Sequence, residues 1–499
     1  MRTRTLATAI AVAAACLGGL VGGPAPAAHA APAKPGAKPT VLPSDFDGDG
    51  HRDLVLSAEG GAPGGAVVVL YGSAAGPDPS RREVLTQDSA GVPATSESYD
   101  RFGAQTATGD YDADGFTDLA VSASGEDMSF GGTYRRNAGQ IMVLFGGKKG
   151  LTRHGATTVR QTVPASADVR RGASLATGDF NGDGRADLAT GDYSTGRGGE
   201  VLYGPLSRKG KPVSVVSLGL TDGQTRVHTA LDTGDVTGDG ITDLVVQVHP
   251  TRPGVTGRIE LHRGTRKGLV PAGRLTGSRG ELLINRGATD VHVAVGDLDK
   301  DGHADIAVGG DWIHGDPFSA GAVTVVHGGP AGQARRPVQV ITQDTPGVPG
   351  SGEEGDFFGH SVSIGDVNAD GYGDLAVGTP TENLRTVADA GQVTVLPGGP
   401  RGVTGVGARV HHQDSGDIAD TVSEYEYFGF AVQLTDLTGD GRADLAIGSK
   451  GQKSYQGRIT LVPADRTGVL SGLGTVTYDA YDAGLPIAPW SGFGDAFGS

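Results

Sequence analysis

Seven aspartate-rich loops at near-regular spacing, a strand-forming run after each, and the lack of any persuasive helical period predict an all-β fold. The expected architecture is a seven-bladed β-propeller of four-stranded antiparallel blades, its ring closed by the N- and C-terminal segments. The loops follow D-x-[DNT]-x-D-G-x-x-D and run on into Leu or Ile. They begin at Asp45, Asp110, Asp179, Asp235, Asp297, Asp366 and Asp436, at intervals of 65, 69, 56, 62, 69 and 70 residues. One such loop would be a weak signal, because Asp-Gly turns are common. Seven in register are a repeat.

After each loop comes a run of about five strand formers between turn residues, as in GGAVVVLYG at 64–72 and AGQVTVLPG at 390–398. A short strand such as 374–378 lies between loop and run, and a fourth follows, as at 338–342 or 410–413. Four strands of this size cannot bury both faces alone. The units must therefore stack, and closing the ring protects the outermost sheets. An open solenoid would have much shorter rungs.

The ends of the chain read differently from its middle. Residues 1–30 have the form of a secretory signal: Arg2 and Arg4, an apolar stretch over 6–21, and Ala28-His29-Ala30 as a cleavage site. Gly18 and Gly19 interrupt the apolar stretch, which argues against stable membrane insertion. The sole Cys, Cys16, follows Ala13-Ala14-Ala15 and lacks the Leu usual three residues before a lipidated Cys, so a lipoprotein is the less favoured reading. Residues 31–39 form a flexible leader and 40–499 the propeller. The expected location is extracellular, with cell-wall association open. A mature chain without Cys needs another kind of cross-link. Its end, Phe493-Gly494-Asp495-Ala496-Phe497, is expected to complete the first blade beside residues 40–44 and zip the ring.

Alternating side chains at loop positions 1, 3 and 5 surround one centre, Gly at 6 permits the return turn, and Asp at 9 closes the cage. Oxygen-only ligation on a flexible loop suits Ca2+, with up to seven ions expected. The candidate side-chain ligands are Asp45, Asp47, Asp49 and Asp53; Asp110, Asp112, Asp114 and Asp118; Asp179, Asn181, Asp183 and Asp187; Asp235, Thr237, Asp239 and Asp243; Asp297, Asp299, Asp301 and Asp305; Asp366, Asn368, Asp370 and Asp374; and Asp436, Thr438, Asp440 and Asp444. Without a cation such crowded carboxylates would repel one another. Weaker binding is expected at the two Thr loops. Seven divalent ions would offset most of the formal charge of −16, a charge that argues against a nucleic-acid partner.

With Phe-Gly eight residues upstream at Phe102-Gly103, Phe358-Gly359 and Phe428-Gly429, and with Val377-Gly378-Thr379-Pro380, these units resemble FG-GAP repeats, the units of the integrin α-subunit head. The resemblance implies that position 7 lends its backbone carbonyl to the ion: His51, Phe116, Arg185, Ile241, His303, Tyr372 and Arg442. It also implies that the loops join the first two strands of each blade on one face, with ligands bound on the other. Arg171-Gly172, Val227-His228 and Thr289-Asp290 depart from the Phe-Gly pattern.

No catalytic constellation stands out. There is no G-x-S-x-G, no paired His at metal spacing and no phosphate loop. Acid pairs such as Glu353-Glu354 read as solvated loops. The best binding candidates are the long connections 86–101, 343–357 and 413–427, all beginning Gln-Asp-Ser/Thr and carrying Tyr99, Phe357, Tyr425 and Tyr427. Trp312 lies on another long loop with His314. The expected function is a monomeric binding or adhesion module for an extracellular protein or glycan. The alternatives are an extracellular hydrolase or polysaccharide lyase on a propeller, phospholipase D-like or acting on a pectin-like polymer, and a calcium-stiffened structural protein of the cell surface.

Overall fold

The computed structural model describes residues 41–499 apart from 61–62, 152–154, 162–165, 194–197, 221–226, 251–256, 281–282, 284–290, 311–319, 417, 419–420, 466, 471–473, 486–491 and 499. The expected signal and leader lie outside the described residues. The remainder is seven antiparallel sheets in chain order, six of four strands and the first of three. A two-stranded ribbon, Met128–Phe130 with Thr133–Arg135, projects from the second blade. The one helix among the described residues is Gln452–Tyr455.

The inner strands are Phe102–Gly109, Ser174–Gly178, Val227–Gly234, Val291–Gly296, Ser361–Gly365 and Phe428–Thr435. In most blades the second and third strands read as nearly continuous apolar runs, such as LVLSA and AVVVL in blade 1, and these two are buried at every position; RIELHR, the third strand of blade 4, is the exception. A strand apolar on both sides must be covered on both sides, and here the neighbouring blades cover it. The core accordingly falls into seven clusters, one at each junction between consecutive blades, including the junction of blade 7 with blade 1. The outer strands are the exposed ones; Val270–Arg274 is open along its length.

Blade 1 obtains its inner strand in two pieces. Ser57 N donates to Ala496 O at 3.2 Å, Gly498 N donates to Val55 O at 3.0 Å, and Leu56 bridges Phe497. Nearer the aspartate loop, Asp53 N donates to Ser44 O at 2.7 Å. The tail and residues 41–44 thus share one sheet edge, as the terminal Phe-Gly leads one to expect. Phe493 is fully buried between blades 7 and 1, the place Phe102, Phe358 and Phe428 take at their own junctions.

Candidate cation loops and the opposite face

Each aspartate loop joins the inner strand to the second strand, so all seven stand on one face. Position 1 organises the turn. Asp45 Oδ1 accepts the N–H of Asp49 at 3.1 Å and its Oδ2 that of Gly50 at 3.0 Å. The same pair of bonds recurs at Asp110, Asp179, Asp235, Asp297, Asp366 and Asp436. Asp47, Asp112, Asn181 and Asn368 at position 3 cap the N–H of position 5, Asn368 that of Asp370 at 2.8 Å, whereas Asp299 Oδ1 has no hydrogen-bond partner. At Thr237 and Thr438 the residue instead turns its own N–H to the position-9 carboxylate. Position 6 is always Gly with φ between +78° and +97°; at six loops the space at its Cβ is open, so backbone conformation alone demands Gly there, while at Gly371 the Lys300 side chain also stands close.

Position 9 is more than a ligand candidate. In every blade one of its oxygens accepts an N–H from the residue just past the third strand: Gly72, Gly146, Gly204, Gly264, Gly328, Gly398 and Ala464, at 2.7 to 3.0 Å. The other oxygen accepts an N–H at position 2 or 3 of its own loop, such as Phe46 N at 2.8 Å. The side chain therefore staples the loop to the sheet. Burial pushes these carboxyls up, Asp53 and Asp118 to about 8, Asp187 to about 7, and Asp374 and Asp444 to about 6. A cation beside them would favour the charged form again.

The loops fit a hard divalent cation. Carboxylate oxygens of Asp45, Asp47 and Asp53 lie within 4.8 Å of one another, as do those of Asp110, Asp112 and Asp118 and those of Asp297, Asp299 and Asp301. Only oxygen donors converge in the first two of these groups. The loop at Asp297 is the odd one: His327 Nδ1 stands 3.1 Å from Asp305 Oδ1, and Arg336 pairs with Asp299. Sequence spacing did not reveal the arginines. Arg81 pairs with Asp47 at 2.7 Å, Arg263 with Asp239 at 2.8 Å, and Arg208 reaches from blade 3 to Asp112 of blade 2 at 2.6 Å.

A second unexpected role belongs to position 7, read from sequence only for its carbonyl. At five loops its side chain leans on position 4 of the preceding loop. A Cβ on Gly48 would come within 2.7 Å of Phe116, one on Gly182 within 3.1 Å of Ile241, and one on Gly238 within 2.5 Å of His303. Tyr372 receives the Lys300 ammonium at 5.4 Å, and His51 lies 3.4 Å from the Cβ position of Gly439, carrying the series from blade 7 back to blade 1.

On the opposite face Tyr99 is 86% exposed and Tyr425 49%, with φ of 75° and 63°. Tyr427 is half-buried, its ring 6.3 Å from that of Tyr455. Trp312 and His314 lie outside the described residues. The Gln-Asp-Ser/Thr starts of the long connections are braces. Gln87 and Gln343 are buried and donate to Glu126 and Glu382 at 2.6 and 2.7 Å. A cavity of about 560 Å³ opens between Tyr99, Arg101 and Glu59 on one side and Lys450, Tyr455 and Asp495 on the other.

The profile of the FG-GAP repeat matches residues 39–70, 102–144, 171–201, 358–396 and 428–462, and that of the FG-GAP-like repeat matches 235–308. The chain belongs to the FG-GAP repeat family. Among curated proteins it is similar to integrin alpha-5 of Xenopus laevis (29% identity over 231 residues, 44% of this chain and 21% of that protein). It is also similar to integrin alpha pat-2 of Caenorhabditis elegans (32% over 238 residues, 44% and 17%). A third relative is the phosphatidylinositol-glycan-specific phospholipase D of Rattus norvegicus (30% over 160 residues, 32% and 18%). The aligned part is about a fifth of each relative's length.

The FG-GAP frame explains one of the blades that lack Phe-Gly. In three FG-GAP units the Phe N–H donates to the preceding blade, Phe102 to Gly64 O at 2.6 Å, Phe358 to Ala320 O at 2.8 Å and Phe428 to Ala390 O at 3.0 Å. Arg171 makes the same bond to Ala138 O at 3.0 Å. Its guanidinium, buried where the ring would lie, is neutralised by Glu200 at 2.7 Å. A Cβ on Gly391 would sit 2.2 Å from Phe428 O, so the blade-to-blade approach needs the glycine before the third strand. Val227 begins an inner strand, and Thr289-Asp290 falls outside the described residues.

Proposed function

We propose that this FG-GAP propeller is a secreted, calcium-bound recognition module, with residues 1–30 as its export signal and 31–39 as its leader. The loops hold Ca2+ through positions 1, 3, 5 and 9, helped by the position-7 carbonyl, and serve as clasps of a fold without disulfides. Recognition of an extracellular protein or glycan takes place on the other face. The observation that carries this reading is the exposure of Tyr99 and Tyr425 there: large aromatics left open on a rigid scaffold are the usual currency of binding sites. Similarity to integrin α chains over 44% of the sequence supports a binding role above a catalytic one.

The test is capture of secreted proteins and glycans by the purified mature chain, with and without chelator. Specific capture that Tyr99→Ala or Tyr425→Ala weakens supports the reading. Turnover of a pectin-like polymer or a phospholipid by the same preparation would move the protein to the enzymes.

A further inference from the structure

We infer that the cavity at the closing seam of the ring is a binding site for a neutral sugar ring, an inference that rests on the recognition-module reading above and gives its ligand a chemistry and a place. The cavity lies where blades 7, 1 and 2 meet, on the face away from the aspartate loops. At about 560 Å³ it falls within the span of about 300–1,000 Å³ typical of small-molecule sites.

Its lining selects against charge. Arg101 pairs with Glu59 at 2.8 Å, and Lys450 pairs with Asp495 at 3.0 Å. An anionic ligand would face two carboxylates and a cationic ligand two cations. Each would have to break an existing pair to gain one. A neutral polyhydroxyl ligand breaks none. Its hydroxyls accept from the remaining N–H groups of Arg101 and Lys450 and donate to the carboxylates.

Asp495 holds Lys450 through Oδ2, while its Oδ1 is buried without a hydrogen-bond partner, a cost to stability that the fold carries at this wall of the cavity. The apolar component is supplied by Tyr99, which stands open to solvent at 86% exposure, with Tyr455 across the cavity. A pyranose has the matching pair of properties: an apolar C–H face to lie on tyrosine and an equatorial belt of hydroxyls that both donate and accept.

The site also depends on ring closure. Asp495 belongs to the tail that completes blade 1, so the cavity has its floor only when that tail is paired with Leu54–Ala58. Occupancy should therefore hold the tail in place, by mass action.

The experiment uses the full mature chain with saturating Ca2+ and a panel of immobilised neutral oligosaccharides of glucose, galactose, mannose and N-acetylglucosamine, beside uronate and sulfated counterparts. The expected result is binding to at least one neutral member. Tyr99→Ala should weaken it by about tenfold or more without moving the melting temperature, since truncating an exposed aromatic anchor removes contact and little fold. Asp495→Asn should weaken it too, and Tyr481→Ala, which truncates an exposed tyrosine outside the cavity, should leave it unchanged. Sugar binding lost in Tyr425→Ala and kept in Tyr99→Ala would overturn the cavity assignment while leaving a recognition module. Binding confined to acidic glycans, or to proteins, would overturn the neutral-sugar assignment alone. No capture of any glycan or secreted protein would overturn both readings.

Discussion

The carboxylate of Asp118 accepts the N–H of Gly146 at 2.9 Å, across 28 residues, and with its other oxygen holds the N–H of Tyr111 at 2.9 Å. Loop and third strand are thus joined before any ion is considered. Asp118→Ala should cost about 2–4 kcal/mol, because it leaves buried N–H groups without acceptors. That loss should persist in excess chelator. Asp112→Ala should lower the melting temperature in Ca2+ and change it little in chelator. Thermal melts of both variants, with and without chelator, check the distinction.

The two Thr loops should be the weakest cation sites. Thr237 and Thr438 offer no carboxylate at position 3 and form no turn-capping bond to position 5. Calorimetric titration of the calcium-free protein should show a lower-affinity class that Thr237→Asp and Thr438→Asp convert to the stronger one. Seven equal sites would refute the ranking.

The buried pair of blade 3 gives a third test. Arg171→Phe alone strands Glu200 in the core and should cost about 3–5 kcal/mol. Blades 5, 6 and 7 carry Thr324, Thr394 and Thr460 at the strand position of Glu200. The double variant Arg171→Phe with Glu200→Thr should therefore recover most of the loss. Denaturant unfolding of the single and double variants decides it.

Removing residues 493–499 should lower the melting temperature sharply, because it exposes the inner edge of Leu54–Ala58 and empties the Phe493 site. Phe493→Ala on its own should cost about 3–5 kcal/mol. An unchanged melting curve for the truncated chain would refute closure by the tail.

His360 predicts an acid sensitivity separate from the loops. It lies at the inner strand of blade 6, its ring 4.7 Å from Phe430 and 5.3 Å from His292. Burial first, then His292 and Lys450, hold the imidazole down to about 3 from its ordinary 6.5. Between those values the unfolded chain takes up a proton that the folded chain refuses, so stability falls as pH drops below about 6.5. At pH 5 the loss from this residue alone is about 2 kcal/mol. The melting temperature of His360→Gln should fall less than that of the parent between pH 7 and pH 5, both in saturating Ca2+.

The repeat made the blades, their strand order and the loop face legible, because Asp spacing and two-sided apolar strands are local patterns. The terminal Phe-Gly disclosed the closing tail in the same way. What escaped is non-local. The position-7 side chains carry no common signal, since His, Phe, Arg, Ile and Tyr share no chemistry; what His51, Phe116, Ile241, His303 and Tyr372 share is a neighbour, the loop before them. Arg171 looked like a departure because its partner Glu200 lies on another strand. Tyr455 and Lys450, which complete the seam cavity, sit in a blade distant in sequence from Tyr99 and carry no motif.

The side chains of His51, Phe116, Ile241, His303 and Tyr372 are each at once part of their own loop and a lid on the loop before it. In an open row of such contacts the end members would fray, having a neighbour on one side only. With His51 resting at Gly439, the row also crosses the closing seam from blade 7 to blade 1. Ordering one loop should then steady its neighbour across each such contact, the closing seam included.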